Sequence, residues 1–76
     1  MMVINQQELS QFIREFRQLT GLTQEQFAAF LGVTYPTINR WENGRTNPSP
    51  MAMKLLEQKL VEMGERGSNL RKRYLA

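Results

Sequence analysis

The stretch from Gln24 to Gly44, QEQFAAFLGVTYPTINRWENG, indicates how this chain folds. It predicts two short helices joined by a tight turn at Gly32-Val33-Thr34, because glycine readily ends a helix and threonine caps the next one. Pro36 falls in the first turn of the second helix, where a missing N–H is harmless. Gly44 is expected to end that helix. Signals in this order are typical of two helices packed at a fixed angle.

Similar signals predict one further helix on each side of this stretch. Asn5 is a good N-cap with Glu8 three residues later, and apolar residues then recur at helical spacing until Gly21. Ser49-Pro50 begins the last predicted helix, which Gly64 ends. We therefore expect an all-α fold, a compact bundle of four short helices, with a fifth left open at the C-terminus.

The chain divides into a domain at residues 1–63, with the two-helix unit at 24–44, and a basic tail at 64–76. The net charge is +3, and the whole excess lies after Gly64. Two glycines, a serine and four basic residues give the tail no stable helical pattern, so we expect it to be flexible. A basic tail suits a polyanionic partner, although solubility alone would also explain it.

The composition excludes several classes of function. The 76 residues contain no Cys and no His, and no Asp is present. Disulfides, His-based acid–base catalysis and nearly all transition-metal ligand sets are therefore excluded, and we expect no enzyme, cofactor or metal site. No apolar run approaches the roughly 18 residues of a membrane span, and no signal peptide is visible. A cytoplasmic protein without membrane contact is expected.

The run from Ile13 to Pro50 strongly resembles the phage-repressor and Cro-type helix-turn-helix domains, also called Xre-type or lambda-repressor-like. The resemblance covers about Phe12 to Leu60. Its landmarks are Arg17, Gly21-Leu22-Thr23-Gln24, Ala28, Leu31-Gly32-Val33, Ile38, Trp41-Glu42-Asn43-Gly44 and Pro48. It implies a compact bundle whose third helix, residues 35–43, enters the major groove of DNA. The fifth helix usual in that family is expected to be missing or reduced to the tail.

Residues that read base edges must be polar or long. They must also lie at the exposed N-terminal end of the helix that enters the major groove. A helix about 10–12 Å across fits the major groove of about 12 Å. The predicted base-reading residues are Tyr35, Pro36, Thr37, Asn39 and Arg40. Arg40 can pair with guanine and Asn39 with adenine. An exposed turn aromatic without a role is the alternative for Tyr35.

Phosphate contacts are predicted on both sides of this helix. Gln24 stands at the start of the second helix, where free N–H groups and the helix dipole favour an anion. In related domains, residues at the positions of Asn43, Arg45 and Thr46 contact phosphates. These four residues are expected to hold the duplex in place rather than to read its sequence.

Two further residues have structural explanations. The resemblance implies that Arg17 pairs with Glu42 and ties the first helix to the third, although a phosphate contact by Arg17 is an alternative. Trp41 follows Ile38 by three residues, so a core position is favoured over stacking on a base. Loss of either partner of the Arg17–Glu42 pair is expected to destabilise the fold.

Three classes of function were weighed. The leading one is a transcriptional regulator that binds double-stranded DNA as a homodimer on a palindromic operator. It would act as a repressor, or as an antitoxin with a toxin as protein partner. The second is a protein-interaction module on the same fold, with Met51, Met53 and the tail as its contact surface. The third, an enzyme, is disfavoured by the missing His, Cys and Asp.

Overall fold

The computed structural model describes residues 5–75, which form five α-helices and no strand. The helices are α1 Gln6–Thr20, α2 Gln24–Leu31, α3 Tyr35–Glu42, α4 Pro50–Glu62 and α5 Glu65–Leu75. The predicted all-α bundle is confirmed, with five helices. None of these helices is long and apolar enough to cross a membrane. Residues 1–4 and Ala76, which the predicted domain and tail included, lie outside the described residues.

Side chains at the helix starts supply the hydrogen bonds that first turns lack. The Asn5 side chain accepts a bond of 2.8 Å from the Glu8 N–H. Thr23 and Gln26 form a capping box, in which each side chain accepts a hydrogen bond from the other residue's backbone N–H. Because these interactions are local, the sequence was enough to locate where α1 to α4 begin.

α3 is one residue shorter than the predicted helix at residues 35–43. It ends at Glu42, and Asn43 is its C-cap. Gly44 follows with a φ of 71°, the left-handed conformation that L side chains rarely adopt. Its N–H donates to the Trp41 carbonyl at 3.2 Å, so the end of the helix is closed within the backbone.

One hydrophobic core joins the five helices. α1 lies at its centre, in contact with α2, α3 and α5. The Phe16 ring packs edge-on against Phe27 with 5.1 Å between ring centroids. Trp41 is 6 % exposed, which confirms that it belongs to the core. The other buried apolar side chains are Leu9, Phe12, Ile13, Ala28, Leu31, Ile38, Leu56, Leu60 and Leu70.

The tail is not the flexible segment that its composition suggested. Residues 65–75 form α5, which packs on both α4 and α1, so the fifth helix that is usual in the domains this sequence resembles is present. Leu70 is buried, and the Tyr74 ring lies 5.6 Å from that of Phe12. The Tyr74 hydroxyl donates to the Glu15 carboxylate, and burial together with this bond raises the pKa of Tyr74.

A glycine explains why α5 can pack where its sequence looked unfavourable. Gly67 is buried, and a Cβ at this position would lie 2.0 Å from the Leu60 carbonyl oxygen. The backbones of α4 and α5 therefore meet without an intervening side chain. Glycine lowers helix propensity, so the same residue that argued against a helix in the sequence permits the packing that stabilises it.

We predict that Gly67→Ala destabilises the protein. The added methyl group must displace the Leu60 carbonyl, and overpacking of this kind costs about 1–3 kcal/mol, which outweighs the gain in helix propensity. The free energy of unfolding from urea titration measures the change. The exposed neighbour Ser68→Ala is the matched control and should be neutral or slightly stabilising. Equal stability of the two variants would contradict close α4–α5 packing.

Candidate nucleic-acid interface

The turn between α2 and α3 fixes the direction in which α3 runs. Gly32 has a φ of 76°, and the Val33 N–H donates to the Ala28 carbonyl at 2.9 Å. The Thr34 side chain then caps α3 by accepting from the Thr37 N–H. Only three residues separate the helices, so the backbone of the turn determines the angle between them. The inner face of α3 is buried in the core, and its outer face is turned to solvent.

Six side chains line one groove on this outer face. We call the groove the α3 surface, and its residues are Tyr35, Pro36, Asn39, Arg40, Asn43 and Arg45. Four of the five predicted base-reading residues and two of the four predicted phosphate contacts thus lie side by side. Tyr35 is 44 % exposed, and Arg40 and Arg45 are also exposed. The structure therefore brings most of the predicted set together on one accessible surface.

Three predicted contacts lie apart from this groove. Thr37 is partly buried, and its hydroxyl lies 2.8 Å from that of Thr34. Thr46 is exposed in the loop after α3. Gln24 lines a neighbouring groove that reaches the α3 surface at Tyr35. Thr37 and Asn39 are thus the two partly buried members of the predicted base-reading set.

An ion pair ties α1 to α3 beneath the surface. Arg17 Nε donates to Glu42 Oε2 at 2.7 Å, and Nη2 donates to Oε1 at 3.2 Å. The Glu42 side chain is 3 % exposed and that of Arg17 is 22 % exposed. The hydrogen bonds to Glu42 raise the pKa of Arg17, so the guanidinium remains charged. Arg17 Nη1 also donates to the Leu22 carbonyl at 3.3 Å, which leaves Arg17 engaged inside the protein.

Three residues that were predicted to face DNA are also held by side-chain hydrogen bonds within the protein. Gln24 Nε2 donates to Glu42 Oε1 at 3.0 Å, and Asn39 Nδ2 donates to Gln24 Oε1 at 3.3 Å. Asn43 Nδ2 donates to Asn39 Oδ1 at 3.2 Å. We call Glu42, Gln24, Asn39 and Asn43 the amide relay. Since it joins residues of α2 and α3, the sequence carried no signal for it.

Other side chains beside the α3 surface were missed. Arg14 of α1 lines a groove with Gln7 and Asn43, which places a further exposed cation near the end of α3. Glu25 is exposed in the groove of Gln24, where its carboxylate opposes the approach of an anion. The helical periodicity placed Arg14 on the outside of α1 but could not show which neighbour it would face.

The chemistry of this surface is that of recognition. Arginine guanidinium groups, side-chain amides and an aromatic ring can bind phosphates and the edges of bases. Within residues 5–75, no group of three or more His, Cys, Asp or Glu side chains could hold a metal ion. The surface is therefore equipped to bind a polyanion with some selectivity.

The comparison with protein families agrees with this geometry. The family model described as helix-turn-helix matches residues 13–60. The chain belongs to the helix-turn-helix family. The resemblance to Xre-type, lambda-repressor-like domains is thereby confirmed, and DNA binding in regulation is the general role of this helix-turn-helix domain. Neither a curated protein nor a solved structure matches the chain.

We predict that Glu42→Ala lowers the stability of the domain by about 3 kcal/mol, the lower end for a broken buried pair, because Arg17 keeps some access to water. Urea unfolding followed by Trp41 fluorescence measures the loss. The control is Glu62→Ala, which removes a carboxylate that is 62 % exposed and lies 4.0 Å from Lys59. Its effect should stay below about 0.5 kcal/mol. Equal losses would show that the Arg17–Glu42 pair does not brace the fold.

Proposed function

We propose that this protein is a transcriptional regulator that inserts α3 into the major groove of double-stranded DNA. The observation that carries the proposal is the α3 surface. It presents exposed cations and amides along a helix whose opposite face is buried in the core. A rigid helix of this width fits the major groove, and it requires no rearrangement of the protein backbone.

Within this proposal the exposed side chains read bases. Arg40 donates to the two acceptors on a guanine edge, the commonest specific contact of arginine with DNA. Tyr35 and Pro36 contact thymine methyl groups, and Thr37 contributes at the edge of the groove. Asn39 contacts a base only through the amide N–H and the oxygen lone pair that its hydrogen bonds to Gln24 and Asn43 leave free.

Phosphate contacts on both sides of α3 would hold the duplex. Asn43, Arg45 and Thr46 follow the end of α3, and Arg14 lines a groove together with Asn43. Gln24 stands in the first turn of α2, whose free N–H groups favour an anion. Because these contacts carry no sequence information, their loss should weaken binding to all sequences alike.

We further propose that two copies bind together on a palindromic operator and repress transcription by covering it. α3 has eight residues, a length of about 12 Å, so one copy reads only a few base pairs. The α3 surface holds two arginines, which suits weak binding by one copy. Half-sites about one helical turn apart would let both copies read the same side of the duplex.

A protein-interaction module, with a toxin as one candidate partner, remains the second candidate, since α4 exposes apolar side chains. Met51 is 82 % exposed and Val61 is 67 % exposed, whereas Met53, part of the surface expected from the sequence, is half-buried.

Selection of bound sequences from a random duplex pool distinguishes the DNA-binding regulator from the interaction module. A palindromic consensus and a log K that falls with log salt support the operator proposal. No enrichment would favour the interaction module.

We predict that Arg40→Ala removes the preference for the selected sequence while the melting temperature stays nearly unchanged, because Arg40 is exposed. Discrimination at one base pair should fall by about tenfold or more, the scale of a lost bidentate contact. Binding titrations against single-base variants of the site measure this. Lys54→Ala, an exposed cation on α4, is the control and should keep the preference. Unaltered base selection by Arg40→Ala would overturn its assignment.

We predict that Glu25→Gln tightens DNA binding about two- to fivefold at low salt, because it removes a negative charge beside the proposed phosphate contact at Gln24. The gain should shrink as salt rises and screens the charge. Fluorescence anisotropy with a labelled duplex at several salt concentrations tests this. Glu62→Gln on α4 is the charge-matched control and should change affinity far less. An equal gain in both variants would mean that no phosphate approaches the start of α2.

A further inference from the structure

The amide relay begins at a carboxylate and ends at the α3 surface. Glu42 is 3 % exposed, Gln24 and Asn39 are partly buried, and Asn43 is exposed. The relay thus runs outward from the core through three consecutive hydrogen bonds of 3.0, 3.3 and 3.2 Å. Its two outer members belong to the surface proposed to meet DNA.

The direction of every hydrogen bond in the relay follows from its first member. An ionised carboxylate only accepts, whereas a side-chain amide has one accepting oxygen and one donating nitrogen. Gln24 must therefore turn its nitrogen to Glu42 and its oxygen to Asn39. Asn39 must in turn direct its nitrogen to Gln24, which leaves its oxygen for Asn43. The charge of Glu42 thus fixes the orientation of all three side-chain amides.

We propose that Glu42 sets the direction of the amides on the α3 surface and, through them, the base preference of α3. This inference rests on the proposed DNA binding and makes Glu42 a positioning residue. A freely rotating Asn39 could turn either its donor or its acceptor toward a base. In the relay, Asn39 can offer a base one remaining N–H on the side of α2 and one oxygen lone pair on the side of Asn43. Both groups are then held in fixed positions.

The substitution Glu42→Gln reverses the relay. Arg17 only donates, and its Nε and Nη2 meet the two Glu42 oxygens at 2.7 and 3.2 Å, so the new amide loses one of these bonds. We expect its oxygen to keep the shorter contact with Nε and its nitrogen to replace the oxygen at the longer contact with Nη2. Its nitrogen then faces Gln24, which must turn its oxygen inward and its nitrogen toward Asn39. Asn39 in turn accepts from Gln24 and donates to Asn43. Each amide is inverted while the shape of every side chain is nearly unchanged.

The double variant Glu42→Gln with Gln24→Glu restores the original direction. The amide at position 42 donates to the carboxylate at position 24, and that carboxylate accepts from Asn39 as the Gln24 oxygen does. Net charge equals that of the parent protein. The carboxylate also stays close to Arg17, which lines the same groove as Gln24. Comparison of the single and double variants therefore separates the effect of amide direction from the effect of losing the Arg17–Glu42 ion pair.

Two measurements test the proposal in the full chain. Nuclear Overhauser contacts of the Asn39 amide protons should go to the side chain at position 24 in both the parent and the double variant. In Glu42→Gln they should move to Asn43. Selection from a random duplex pool should then give a different preferred base at one position of each half-site for Glu42→Gln. The double variant should recover the parent base, even if its affinity for all sequences falls.

The outcomes separate the inference from the function on which it rests. Unmoved Overhauser contacts in Glu42→Gln would overturn the relay, whether or not the protein binds DNA. Moved contacts with an unchanged base preference would overturn the link to specificity. No enrichment by the parent protein would instead refute the proposed function. If Glu42→Gln does not fold, Gln24→Met interrupts the relay and spares the Arg17–Glu42 pair. Discrimination at one position of each half-site should then fall by about tenfold relative to the parent, and unchanged discrimination at every position would refute the inference.

Discussion

The two hydrogen bonds between the guanidinium of Arg17 and the carboxylate of Glu42 are the constraint on which the rest of the structure depends. They join the last turn of α1 to the last turn of α3 at 2.7 and 3.2 Å, and the carboxylate is almost out of contact with water. A buried carboxylate without this partner would be costly, so the two helices can dock only where both charges are satisfied. The short turn after α2 sets the angle of α3, and the ion pair sets its position.

The same carboxylate links stability to recognition. Glu42 also accepts from Gln24, whose amide continues through Asn39 to Asn43 on the exposed side of α3. Side chains that would otherwise turn freely are thereby held in place. A surface with few cations gains little from charge alone, and fixed donors and acceptors are then the more effective source of selectivity. Arg40, which is exposed, complements the held amides.

The last helix shows a different balance between local and tertiary effects. α5 has a glycine and few apolar residues, and its isolated sequence would not hold a helix. Leu70 and Tyr74 nevertheless pack on the core, and ion pairs from Arg71 to Glu57 and from Arg73 to Glu15 bind its basic face to α4 and α1. Part of the basic excess is therefore engaged inside the fold and is not free for a polyanion.

The sequence by itself determined where α1 to α4 begin, where they end to within one residue, which face of each is apolar, and most of the side chains that α3 turns outward. These features depend on caps, turns and periodicity, all of which act over a few residues. Only the tertiary structure decided that residues 65–75 form α5, because the close backbone approach at Gly67 outweighs the low helix propensity of glycine. It also decided that Glu42 holds Gln24 and that Gln24 in turn holds Asn39. Such contacts join residues 15 and 18 positions apart, and no local pattern encodes them.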